Sequence, residues 1–170
     1  MLFSQIIKNR RSIRAFKDRE IEKEKLEKIL KTAQEAPSAG NLQAWRVLIV
    51  KEKEKKEKLA QAARNQTFII QAPVILVFLA DQQRSAKKYG FRGIQLYALQ
   101  DATLAAIFAW LEAVAQGLAS CWVGAFEENR IRELFNLPSY LQPIALLPLG
   151  YPKEFPPRPP RLPLKEMIFC

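Results

Sequence analysis

The chain has no histidine among its 170 residues and only two cysteines, Cys121 and Cys170. Without histidine, His-containing zinc sites and His-based catalytic triads are excluded. Two cysteines do not make a disulfide framework. No G-x-G-x-x-G or P-loop pattern occurs, so any nucleotide must be held by other means. Long apolar runs are also missing. The longest, Ala102 to Leu111, contains Thr103, lies between Asp101 and Glu112, and is too short to span a bilayer. Lys8, Arg10 and Arg11 interrupt the apolar start of the chain, which argues against a signal peptide. There is no internal repeat and no interdomain linker. A cytoplasmic protein not bound to a membrane is expected.

What is present suits a folded domain. Apolar residues make up 49% of the chain and charged residues 26%, enough to bury a real core. The net charge of +10 favours anionic partners: nucleic acid, acidic lipid or phosphorylated small molecules. Charge alone does not choose among them.

Hydrophobic periodicity gives the elements. Residues 2–9 read as a short helix, and Leu26, Ile29, Leu30 and Ala33 mark one face of a helix over 20–36, ended by Pro37. Residues 47–50 read as a strand, and the Lys/Glu-rich stretch from Lys51 as the exposed start of a helix. The continuous apolar run 73–80 predicts a strand buried on both faces. Residues 81–93, polar and basic, read as a loop. Residues 94–116 predict the longest helix, apolar nearly all round and central to the core, closed by Gly117. Strands follow at 120–123 and 144–149, with a charged helix over 127–136 between them. Pro148 suggests that the last strand is an edge or bulged. Cys121 reads as a buried structural thiol, and Asp101 as a core or interface polar contact with no catalytic role. The fold class is α+β, a small sheet flanked by helices around one long apolar helix.

Two stretches carry the chemistry. In Asn9-Arg10-Arg11-Ser12-Ile13-Arg14, three guanidinium forks crowd together at a cost in repulsion that an anion would relieve. On composition alone the favoured reading is a solvated basic turn, and a second stretch is what overturns it. The second stretch is Ala36-Pro37-Ser38-Ala39-Gly40-Asn41-Leu42-Gln43-Ala44-Trp45. With Gly117-Leu118-Ala119-Ser120-Cys121-Trp122-Val123-Gly124-Ala125-Phe126, Leu147-Pro148-Leu149-Gly150-Tyr151-Pro152 and Arg161-Leu162-Pro163-Leu164, these motifs resemble, in order and spacing, a short form of the nitroreductase family of flavin mononucleotide (FMN) enzymes.

The resemblance implies a nitroreductase-like fold, a homodimer with FMN at the subunit interface, and NADH or NADPH as co-substrate. Arg10, Arg11 and Ser12 would bind the FMN phosphate, joined by Arg161 from the tail. Arg14 would sit toward the flavin N1/O2 edge. Ser38, Ala39, Gly40, Asn41 and Gln43 would form the loop that the partner subunit lays against the flavin. The backbone of Gly124 and Ala125 would face flavin N5 and O4, and Asn65 or Gln66 could supply a further polar contact. No catalytic side chain and no metal is implied, because FMN carries the hydride to a small-molecule acceptor such as a nitroaromatic or quinone. Residues 1–150 would form the FMN-binding domain. Residues 151–170, rich in proline and ending in Met167-Ile168-Phe169, would form an extended arm docking on the partner subunit. Two alternatives remain: a flavin-remodelling, dehalogenating or flavin-carrier member of the same superfamily, and a basic nucleic-acid-binding protein. Against the latter, no stretch interleaves basic residues with exposed aromatics.

Overall fold

The computed structural model describes residues 2–169. In chain order the elements are α1 (Phe3–Asn9), α2 (Lys23–Gln34), β1 (Trp45–Val50), α3 (Lys53–Ala62), α4 (Phe68–Gln71), β2 (Val74–Asp81), α5 (Gln82–Arg92), α6 (Ala98–Ala115), β3 (Ala119–Ser120), α7 (Glu128–Phe135), β4 (Leu141–Gly150) and α8 (Leu164–Met167). One antiparallel sheet of four strands runs in the order β1-β2-β4-β3.

Side chains alternate across β2, and both of its faces are covered. Val74, Leu76 and Phe78 face α2 and α6, whereas Ile75, Val77 and Leu79 face the layer that includes Leu59 of α3 and Ile131 of α7. All eight residues of β2 are buried, as its unbroken apolar run predicts. Full burial of a side chain such as Phe78 is worth about 2–3 kcal/mol. The predicted α+β fold, small sheet and central apolar helix are all present.

Six of the nine buried residues of α6 are alanines, which lets Ile29 and Ala33 of α2 pack close to its axis. Gly117 follows α6 at φ +75°, with Gly117 N–H bonded to the Val114 carbonyl and Leu118 N–H to the Ala113 carbonyl. That is a Schellman closure, which the left-handed glycine permits. The stretch Gln82–Ala115, counted as one helix, is long and apolar enough to cross a membrane. Its chain path, however, is kinked at Gly90 (φ +53°), and α6 lies in the core between α2 and the sheet.

Two expectations are corrected. Residues 81–93 are not a loop. Asp81 ends β2 and its carboxylate accepts the Arg84 N–H at 2.9 Å, capping α5. Pro148 lies on an interior strand, and the bulge is elsewhere, where Phe78 pairs with Ala145 but Leu79 with Pro143. In register, Pro148 falls opposite Cys121, and there the β3–β4 ladder lapses between the Ser120–Leu149 pair and the isolated Val123–Leu146 bridge. Proline has no N–H to offer at that point. Residues 154–163 carry no helix or strand, and the tail then makes the single turn α8.

Candidate functional site

Arg10 follows α1, and its guanidinium stacks on the Trp110 ring of α6, 4.7 Å from the centroid. Arg11 turns back to donate to the Arg10 carbonyl at 2.9 Å. The strand-like segment after it is fixed by the Ile13 N–H bond to the Ser120 carbonyl and a bridge between Ser12 and Ser120. Arg14 donates its N–H to Glu154 Oε1 at 2.6 Å, and Lys153 N–H bonds the Ala15 carbonyl. The start of the tail is therefore laced to the first motif. Arg10, Arg11, Ser12, Arg14, Pro156, Pro157 and Pro159 line a cleft of about 300 Å³.

The cleft is strongly cationic. Burial lowers the Arg10 pKa, and Arg161, Arg11 and Arg158 push it further in the same direction. Among the described residues, no salt bridge joins Arg10, Arg11, Arg14, Arg158 or Arg161 to a carboxylate. Arg161 bends back onto the Pro159 and Pro160 carbonyls, each at 3.1 Å. The Ser120 hydroxyl is buried without a partner. Cys121 is buried beside this group, and burial raises its pKa although Arg14, Ser12 and Arg10 favour the thiolate. That agrees with an inert structural thiol.

The other expected residues fall in two further places. Gly124 and Ala125 are exposed at the end of the stretch that starts at Ser120, so residues 120–125 connect them to the arginine cleft. Gln66 joins them: its Nε2 lies 3.5 Å from the Ala125 carbonyl and 3.0 Å from that of Ala63. Asn65 is exposed, and with Arg64 it takes left-handed backbone angles (φ +58° and +56°).

Ser38–Gln43 lies apart. Asp101 of α6, buried at 2% exposure, accepts the Ala39 N–H on Oδ1 at 2.9 Å and the Ala44 N–H on Oδ2 at 3.2 Å. Ser38 Oγ accepts the Gln43 N–H at 2.9 Å, and Gln43 Nε2 donates to Asn41 Oδ1 at 3.2 Å. Gly40, Asn41 and Gln43 all have positive φ (+56°, +56° and +49°). Asp101 and Trp110 are nine residues apart on one helix, about 14 Å of rise, so the loop and the arginine cleft sit at different ends of α6. Arg158 is the residue that sequence reasoning missed. Its only signal was membership in the proline-rich tail that also carries Arg161.

The comparisons decide what this arrangement belongs to. A sequence model described as "Nitroreductase family" matches residues 7–69 and 63–151. The chain belongs to the nitroreductase family. An FMN reductase [NAD(P)H] of Bacillus subtilis is 35% identical over 166 residues, covering 90% of this chain and 67% of that protein. A crystal structure of a nitroreductase family protein from Clostridium difficile superposes with a TM-score of 0.87 at 38% identity, covering 99% of this chain and 98% of the other. The NADPH:FMN oxidoreductase of Vibrio harveyi, solved in complex with NAD+, gives a TM-score of 0.91 at 29% identity, covering 98% of this chain and 76% of that one. Membership of this family confirms the fold expected from the motifs.

Proposed function

We propose that the protein is an FMN-dependent oxidoreductase that takes a hydride from NADH or NADPH and passes electrons to a small-molecule acceptor such as a nitroaromatic or quinone. One observation carries the reading: a fold of this family presents a cleft of arginines whose guanidinium groups, among the described residues, form no salt bridge with a carboxylate. The residues fit the phosphate of FMN. Guanidinium groups on a phosphate make charge-assisted hydrogen bonds and remove the mutual repulsion that, after burial, depresses the Arg10 pKa.

Arg10, Arg11 and Ser12 hold the phosphate with Arg161, and Arg158 adds positive charge at the same place. Trp110 keeps the Arg10 guanidinium from folding away. Arg14 is exposed at the cleft and supplies a fixed cation toward the flavin N1/O2 edge. The backbone of Gly124 and Ala125, with Gln66 or Asn65 beside it, lies along the flavin. FMN, when bound, supplies the hydride-accepting atom, and the protein supplies placement and a tuned field.

The working unit in this reading is a cytoplasmic homodimer. Ser38, Ala39, Gly40, Asn41 and Gln43 cannot line the arginine cleft of their own chain, which supports their lying against the flavin of a second copy. Exposed Leu2 and Phe3 at the start of α1, and Leu162, Leu164, Met167 and Phe169 on the arm, support the same assembly. Residues 151–170 are the arm that docks on the partner subunit. The test is direct. Purified protein should be yellow, carry about one FMN per chain, run at twice the chain mass and oxidise NADH or NADPH when given a quinone. Colourless protein that takes up no added FMN refutes the proposal.

A further inference from the structure

We propose that helix α5 and the turn after it recognise the phosphorylated adenosine end of the nicotinamide donor and make NADPH preferred over NADH. This rests on the reading that the Ser38–Gln43 loop lies against a flavin, because α5 is packed on that loop. A Cβ added to Gly40 would collide with the Tyr89 hydroxyl and stand 2.7 Å from Lys88 Nζ. Whatever the loop faces, Lys88 and Tyr89 face beside it.

From Gln82 to Gln100 the chain has Arg84, Lys87, Lys88 and Arg92 and neither Asp nor Glu. The carboxylates that bound this stretch are both buried and committed. Asp81 pairs with Arg46 at 3.0 Å and caps α5, and Asp101 holds the loop amides. Among the described residues, none of the four cations has a salt bridge. Arg84, Lys87 and Lys88 are exposed, and Arg84 and Lys88 are four residues apart, a like-charge spacing that weakens an isolated helix. An anion on the surface would relieve that repulsion.

Aromatic rings stand among the cations, with Phe91 70% exposed between Lys88 and Arg92, which corrects the expectation that no stretch interleaves basic residues with exposed aromatics. Tyr89 meets Tyr97 edge to face with centroids 4.9 Å apart, and Arg92 Nε donates to the Tyr97 hydroxyl at 2.9 Å. Lys88 Nζ is 5.4 Å from the Tyr89 ring centroid. Rings give a flat partner for a purine, and cations around them give partners for phosphate. NADH brings two negative charges, on its diphosphate. NADPH adds a 2′-phosphate with a further charge of about −1.5 to −2 near neutral pH. Four cations without counter-charges match the second molecule better than the first.

The experiment uses the FMN-loaded protein. Wild type, Lys88→Gln and the double variant Arg84→Gln/Lys88→Gln are compared by kcat/KM for NADPH and for NADH at low and high salt. Calorimetric titration with adenosine 2′,5′-bisphosphate and with AMP reads binding without turnover. The expected result is about a tenfold preference for NADPH, the size of one charged hydrogen bond, shrinking with salt and in the double variant. The bisphosphate should bind wild type more tightly than AMP and lose that margin in the double variant, with FMN content unchanged. Equal use of the two donors, a preference that survives both substitutions, or charge dependence confined to an anionic acceptor overturns the proposal. Holoprotein without the preference sinks this inference alone, whereas protein that binds no flavin sinks the functional reading with it.

Discussion

Removing the Asp101 carboxylate should release the candidate flavin loop. Its two oxygens accept N–H groups near the two ends of the loop, from Ala39 at 2.9 Å and Ala44 at 3.2 Å. Ala44 is fully buried, so in Asp101→Ala its N–H would have neither protein nor water as partner, a loss of about 2–3 kcal/mol. The Ala39 N–H is half-buried and can recover water, so its loss is nearer about 1 kcal/mol. Together the change should cost about 3–4 kcal/mol, a large share of a typical stability of about 5–15 kcal/mol. Asp101→Asn keeps one acceptor but turns an NH2 toward the second amide, and should cost about 2 kcal/mol. Urea titration at fixed protein concentration measures the total. Hydrogen exchange at the Ala39 and Ala44 amides tests the mechanism, because both should exchange much faster in Asp101→Ala. If those amides stay protected and the urea midpoint does not move, Asp101 does not hold the loop.

Other consequences are simpler to check. Gly40→Ala places a methyl group against the Tyr89 hydroxyl at φ +56° and should destabilise by about 1–2 kcal/mol in thermal melts; adding Tyr89→Phe should relieve the clash and leave the backbone cost. Arg10→Ala or Arg161→Ala should each weaken FMN binding by about 1–3 kcal/mol, read by flavin fluorescence titration, and unchanged affinity in both would refute the phosphate assignment. The Tyr151 hydroxyl donates to Glu22 at 2.6 Å and accepts from Lys25 at 2.7 Å, and the first contact is the largest of the causes, with a backbone hydrogen bond, Arg19 and Lys25, that lower the Glu22 pKa from 4.5 to about 2. A depressed carboxylate stabilises the fold above its unfolded pKa and loses that contribution as pH falls toward about 2. Melting temperature should therefore drop between about pH 4.5 and pH 2 less steeply in Tyr151→Phe than in wild type.

Much of the fold was written locally. The i, i+3, i+4 apolar spacing in α2, the unbroken apolar run of β2 and the all-round apolarity of α6 follow from the side-chain period of each element, so they can be read from neighbours in the chain. Gly117 closes α6 for an equally local reason. The motifs that mark the family were legible too, and so was the crowding of Arg10, Arg11 and Arg14, since five residues of chain keep the charges together whatever the fold does.

Tertiary structure decided the rest. Helix α5 buries only Ser85 and so has no apolar stripe to read; its cap on Asp81 and its packing on Gly40 hold it in place. Pro148 looked like an edge residue because a sequence cannot show that the neighbouring ladder lapses just where its N–H would be wanted. Arg158 comes near enough to Arg10 to add to the repulsion on it, and Asp101 reaches back some 60 residues to hold a loop, only because the tail and α6 are folded onto distant segments. Local elements record the spacing of side chains along the chain. Which charges meet, and which stay without a counter-ion, depends on long-range contacts that no short stretch of sequence contains.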